Sequence, residues 1–122
     1  MSKHLVSVYG TLRKGYGNNR LLTSSPLITT GKTADKMVMH AAGIPYVSRT
    51  QEVSKITVEV YEVDDVTLSR LDGLEGHPRF YKRELTKIDG DDGVTREAWL
   101  YYCNGHGTVV ESGDYSDYRK KY

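Results

Sequence analysis

Apolar and polar residues alternate most regularly between Lys55 and Val63. Ile56, Val58 and Val60 fall on one face and Thr57, Glu59, Tyr61 and Val63 on the other, the side-chain period of a strand. A β-branched run, His4-Leu5-Val6-Ser7-Val8, predicts a buried strand that stops at Gly10. Phe80 to Ile88 and Val94 to Cys103 predict two more, joined through Asp89-Gly90-Asp91-Asp92-Gly93 in a hairpin-type connection. From Leu27 to Met39 the chain is β-prone but interrupted at Gly31, which predicts a strand with a bulge or a hairpin. Ala41 to Val47 reads as a turn leading into another short strand. A helical turn over Asn19 to Leu22 is broken by Ser24-Ser25-Pro26. One longer helix is predicted: Asp64 and Asp65 are placed to cap it, it begins near Val66, and Gly76-His77-Pro78 stops it. From Asn104 onward the chain is polar and rich in Gly and Tyr, with a basic tail over about residues 116–122. This order predicts one α+β domain spanning residues 1–122, a small mixed β-barrel or curved sheet with a short helix packed on it.

Composition narrows the function classes. Seventeen basic against sixteen acidic residues leave a formal charge of +1, which argues against a generally basic nucleic-acid binder and against an acidic tail. Ten tyrosines against one Phe and one Trp suit half-buried strands and pocket walls, and would also serve base stacking. The single cysteine, Cys103, excludes an internal disulfide, fits a reducing compartment, and is expected to be a buried, unreactive thiol. No basic-plus-apolar leader opens the sequence and no apolar stretch approaches membrane-spanning length. The expectation is a soluble cytoplasmic protein.

Two stretches carry candidate chemistry. After Tyr9, the glycines Gly10, Gly15 and Gly17 punctuate a loop holding Arg13, Lys14, Asn18, Asn19 and Arg20. A buried strand ending in glycine exposes main-chain N–H groups, and Gly10 has no Cβ to keep a ligand away, so residues 9–13 suit a carboxylate or phosphate. An ordinary surface turn would show the same pattern. The loop is neither a P-loop nor a dinucleotide fingerprint. On the predicted helix, with Leu68 at zero and about 100° per residue, Leu71 falls near ~300°, Leu74 near ~240° and Glu75 near ~340°. Glu75 therefore lies on the apolar side, where poor solvation raises a carboxyl pKa toward general acid/base use, while Asp72 lies further from the apolar centre. If the helix frays at Gly73, Glu75 points to water instead. His77 beside Pro78 reads as a surface residue. No metal-ligand spacing and no nucleophile–base pairing is present.

Val8-Tyr9-Gly10-Thr11-Leu12-Arg13, then Leu71-Asp72-Gly73-Leu74-Glu75-Gly76 with Tyr81-Lys82-Arg83, resembles the γ-glutamylcyclotransferase-like superfamily, closest to its γ-glutamylamine cyclotransferase and AIG2-like branch. Gly43 to Val47 and Ser112-Gly113-Asp114-Tyr115 are similar to further family segments, so the resemblance covers nearly the whole chain. It implies a compact β-barrel with a flanking helix and a pocket at the barrel mouth. It also implies that Tyr9, Gly10, Thr11 and Leu12 hold a substrate α-carboxylate through main-chain N–H groups, that Glu75 is the catalytic residue, and that Tyr81 forms pocket wall. The implied reaction needs no cofactor: the α-amine of a small γ-glutamyl amide attacks its own γ-carbonyl, releasing 5-oxoproline and an amine. The alternative is a catalytically silent module of the same fold, holding a small molecule or a protein. A nucleic-acid binder using the Arg13–Arg20 loop and Arg119-Lys120-Lys121 is a third reading, opposed by the near-neutral charge. The identity of the leaving amine and the oligomeric state are not written in these motifs.

Overall fold

The first apolar run forms β1 (Lys3–Val8) in a computed structural model that describes residues 2–121. Next come a 3₁₀ turn (Gly17–Leu22), β2 (Leu27–Thr33), β3 (Val38–Ala42), β4 (Ile44–Ser48) and β5 (Thr57–Asp64). The helix α1 (Asp65–Glu75) follows, then β6 (Lys82–Gly90), β7 (Thr95–Tyr102), β8 (Thr108–Val109) and a second helix α2 (Tyr115–Lys121). Five strands close into a barrel in the order β1-β5-β2-β6-β7. All neighbours are antiparallel except β1 and β7, which close the barrel in parallel with Val6 opposite Trp99. The expected mixed barrel with a flanking helix is what forms. A separate three-stranded sheet, β4-β3-β8, was not anticipated.

The regular alternation of β5 has a two-sided cause. Ile56, Val58 and Val60 point into the barrel core with Ile88, Ala98 and Leu100. The opposite face is covered as well: Tyr61 and Val63 pack with Val6, Val8, Leu68 and Leu71 beneath α1. Leu71 is fully buried and Leu68 nearly so, and burial of each such leucine contributes about 1.5–3 kcal/mol. That apolar seam is what seats α1 against the barrel. The helix is also terminated as its sequence predicts. The Asp64 carboxylate accepts the Thr67 N–H at 2.7 Å, and Gly76 leaves the last turn at φ 67°, the left-handed conformation that favours glycine.

Three expectations are corrected. Gly31 does not interrupt its strand. β2 runs through it, because a Cβ there would strike the Asp89 carbonyl of the neighbouring β6; the irregularity lies instead between Leu27 and Thr29. Met37 to Met39 are not a hairpin partner of β2, since β3 belongs to the other sheet. The basic tail, finally, is mostly α2: Tyr115 is fully buried and its hydroxyl donates to the Gly43 carbonyl at 2.6 Å, which docks the helix on the β3–β4 turn. Tyr122, the tail's last residue, lies outside the described residues. Among those residues no helix is long and apolar enough to cross a membrane.

Candidate active site

The loop after β1 folds back on itself. Arg13 N–H donates to the Gly10 carbonyl at 3.0 Å and Asn18 N–H to the Thr11 carbonyl at 3.1 Å. The Asn18 and Asn19 amides donate to Thr11 Oγ1 and the Leu12 carbonyl, each at 2.8 Å. Among the described residues the N–H groups of Thr11 and Leu12 make no hydrogen bond to protein. The loop's acceptors are thus engaged internally while two of its donors remain free, the arrangement an anion receptor needs. Gly10 serves a different purpose from the one its sequence suggests. A Cβ there would lie 2.6 Å from Pro45 Cγ, so the space that glycine opens on that side is filled by the Pro45 ring rather than by a ligand.

Arg13 is not a free basic group. Its Nη1 pairs with Asp114 at 2.8 Å and its Nε lies 3.5 Å from Glu59 Oε2. Glu59, on the α1 side of β5, is buried and accepts from Lys14 N–H at 2.8 Å and the Tyr61 hydroxyl at 2.9 Å. Burial alone would lower the Arg13 pKa, but the Asp114 and Glu59 carboxylates outweigh it and hold the guanidinium charged. The sequence does carry a signal for this network: Glu59 shares its strand face with Tyr61 and Val63, so covering that face buries a charge that requires a partner.

Glu75 ends α1 at a cavity of about 210 Å³, and Tyr9, Gly10, Thr11, Leu12 and Tyr81 line the same cavity. All six residues singled out from the sequence therefore meet in one place. Glu75 is half-buried, and loss of solvation pushes its carboxyl up to about 7, with no charged neighbour contributing. Among the described residues no Arg, Lys or His lines the cavity to neutralise it. The alternative in which the helix frays and Glu75 points to open water is not what the fold shows. Leu74 differs from its expected place: it lines the cavity at 46% exposure instead of entering the core.

The surrounding phenols are neutral. Burial, then the neighbouring Tyr81 phenol and the Glu75 carboxyl, raise Tyr9 well above the ordinary tyrosine value. Burial, then Glu75, also raise Tyr81. Tyr9 donates to the Tyr101 carbonyl and Tyr81 to the Pro45 carbonyl, each at 2.7 Å. With its proton committed, the Tyr81 hydroxyl offers lone pairs to a donor, whereas the Tyr9 oxygen already faces the Val47 backbone N–H.

Residues missed from the sequence support this wall. Tyr101 lines the cavity and donates to Asp72 Oδ1 at 2.7 Å. Arg83 donates to the same carboxylate from Nε at 2.8 Å and from Nη2 at 3.2 Å, while its guanidinium lies 4.2 Å over the Trp99 ring. Burial acts to raise Asp72, but those hydrogen bonds prevail and hold it below the usual carboxylate range. No local pattern announces this cluster, because its members come from α1, β6 and β7. His77, expected at the surface, is half-buried, and its Nδ1 accepts Arg83 N–H at 3.2 Å. Cys103 is half-exposed rather than buried, yet burial and then the Glu75 carboxylate push its thiol up, away from nucleophilic use. Among the described residues no group of three His, Cys, Asp or Glu is placed to hold a metal ion.

Comparison with known proteins places this geometry in context. The sequence profile described as "Gamma-glutamyl cyclotransferase, AIG2-like" matches residues 6–117. A Methanocaldococcus jannaschii protein provisionally named a gamma-glutamylcyclotransferase is 51% identical over 116 residues, covering 93% of this chain and 97% of the relative. A gamma-glutamylaminecyclotransferase from Danio rerio is 33% identical over 115 residues, covering 83% and 76%. Among solved structures, an aig2-like protein from Mus musculus superposes with a TM-score of 0.81 at 22% identity over 94% of this chain and 89% of that one, a likeness of fold.

Proposed function

The chain belongs to the gamma-glutamyl cyclotransferase, AIG2-like family, and from that premise we propose that its cavity closes a small γ-glutamyl amide into 5-oxoproline and releases the amine. The observation that carries this reading is Glu75, a carboxyl pushed up to about 7 by burial at the edge of the cavity. A group that ionises there both accepts and returns a proton at neutral pH.

The free N–H groups of Thr11 and Leu12 would take the substrate α-carboxylate, with the loop bonds from Arg13 and Asn18 holding them in place. This leaves the α-ammonium near Glu75, and the acceptor lone pairs of the Tyr81 hydroxyl suit its remaining protons. Ionised Glu75 removes one ammonium proton. The freed nitrogen attacks the γ-carbonyl carbon, closing a five-membered ring, and the carbonyl oxygen gains the negative charge. The ring nitrogen now carries two hydrogens and a positive charge. On collapse the bond to the leaving nitrogen breaks, and that nitrogen takes the proton held by Glu75. The re-ionised Glu75 then removes the second ring proton, passing it to the departing amine and leaving the lactam N–H. Nucleophile and electrophile belong to one molecule, so the folding of the substrate in a small cavity supplies much of the acceleration. No cofactor enters the scheme, and residues 1–122 act in it as one domain.

The test is release of 5-oxoproline from a panel of γ-glutamyl compounds, wild type beside Glu75→Gln. Release by wild type and none by a folded Glu75→Gln protein is expected. Turnover by the folded variant would remove Glu75 from the reaction. No release from either would make the cavity a binding site for the same chemistry.

A further inference from the structure

Four buried side-chain polar atoms make no hydrogen bond among the described residues: Ser7 Oγ, Arg13 Nε, His40 Nδ1 and Ser54 Oγ. Unsatisfied buried groups are uncommon because each forfeits its bonds to water. Arg13 Nε faces the Glu59 carboxylate as an ion pair. His40 and Ser54 lie away from the cavity, which Ser7 alone of the four lines. Ser7 is 1% exposed and sits opposite Val60 in the β1–β5 ladder. Val60 belongs to the barrel core, and directly opposed residues share a face, so Ser7 points inward with Tyr9. A small polar residue thus occupies an interior position of a strand whose neighbours on that face, Leu5 and Tyr9, both pack on the apolar core.

The tyrosine hydroxyls of the cavity are committed as donors. Tyr9, Tyr81 and Tyr101 donate to the Tyr101 carbonyl, the Pro45 carbonyl and Asp72. Thr11 Oγ1 already accepts from Asn18 and is only half-buried. Ser7 is therefore the fully buried hydroxyl of the cavity whose proton has no protein acceptor. The proposed cyclisation places a full negative charge on the γ-carbonyl oxygen and requires a donor for it, and the loop N–H groups are assigned to the other end of the substrate.

We propose that Ser7 Oγ donates its hydrogen bond to the γ-carbonyl oxygen of the substrate and stabilises the charge that develops there on ring closure. The inference rests on the cyclotransferase reading above. No proton is transferred: the Oγ–H bond stays intact while the C–O bond lengthens, and it shortens again when the amine departs. The bond strengthens as charge builds, so its contribution falls on kcat rather than on KM.

Ser7→Ala deletes the hydroxyl and nothing else, and Ser7→Cys replaces it with a weaker donor of similar shape. With 5-oxoproline release as readout, Ser7→Ala is expected to lose about 10²-fold in kcat, as for other single oxyanion donors. Its KM should stay within a few fold of wild type, and Ser7→Cys should fall between the two. Because the hydroxyl has no protein partner, the melting temperature of Ser7→Ala without substrate should equal or exceed that of wild type. A merely structural Ser7 would instead lower both melting temperature and activity, which overturns the assignment. A kcat within about two-fold of an active wild type overturns it as well and leaves the cyclotransferase reading standing. No release by wild type overturns both.

Discussion

A carboxyl that ionises near neutrality makes two opposite demands on the protein, and Glu75 exposes both. As the base of the proposed reaction it must be ionised, so kcat/KM should rise through about pH 7 and level above it. An initial-rate profile reads this directly; a limb that stays flat across that region would separate Glu75 from the rate. The same shift acts against stability. The folded pKa lies above the ordinary 4.5, so between 4.5 and about 7 the folded state keeps a proton that the unfolded chain has released. Stability present below that window is lost as pH rises through it. Glu75→Gln does not titrate. It should melt above wild type at pH 8, with the difference closing toward pH 4.5. Thermal melts across that range check the sign, and an unchanged difference would show that burial does not set the Glu75 pKa.

At the level of the element, α1 is a lever whose last turn must be held for Glu75 to face the cavity. Its start is secured by the Asp64 cap and its middle by Leu68 and Leu71. The final turn depends on Asp72, which gathers Arg83 from β6 and Tyr101 from β7. Asp72→Ala leaves both donors without that acceptor and should destabilise the fold by about 1–3 kcal/mol. It should also lower kcat more than a remote variant of equal stability, because Glu75 and Tyr101 lose their common anchor. Denaturant melts paired with turnover test this; equal losses in the two variants would make Asp72 a purely stabilising residue. The capping residues were legible in the sequence because Asp64 and its partner Thr67 lie three positions apart. Asp72 was set aside because a helical projection shows angle and not what packs against it.

Across the molecule, Arg13 joins three regions: its own loop, the barrel strand β5 through Glu59, and the approach to α2 through Asp114. Asp114 also accepts from Ser116 N–H at 2.9 Å at the start of α2, so the C-terminal helix and the candidate carboxylate receptor share one ion network. Arg13→Met would leave two carboxylates partly buried without their cation, a loss of about 3–5 kcal/mol for such a break. It should also raise KM by loosening the loop. Burial acts to raise Asp114, yet its bonds to Arg13 and Ser116 hold it below the ordinary 3.8. Its contribution is therefore present above that value and is lost as pH falls below it. Acid titration of wild type and Arg13→Met checks this: the variant should lose the part of the acid transition that Arg13 provides, and superimposable curves would refute the network's role.

Sequence alone determined what short-range contacts and periodicity enforce: the strand at β1, the alternation of β5, the cap and stop of α1, and the hairpin between β6 and β7. It also brought the loop residues 9–12 and Glu75 to notice, because glycine punctuation and a carboxyl on an apolar helical face are local facts, while Tyr81 came only through the family resemblance. Tertiary structure alone decided what surrounds them. Pro45 reaches Gly10 and Tyr81 across 35 and 36 positions, Tyr101 reaches Tyr9 across 92, and Arg13 reaches Asp114 across 101. A pKa, an orphaned hydroxyl at Ser7 and a neutralised Arg13 are properties of solvation and contact. Both arise only when distant segments close around a residue, and no window of sequence contains that closure.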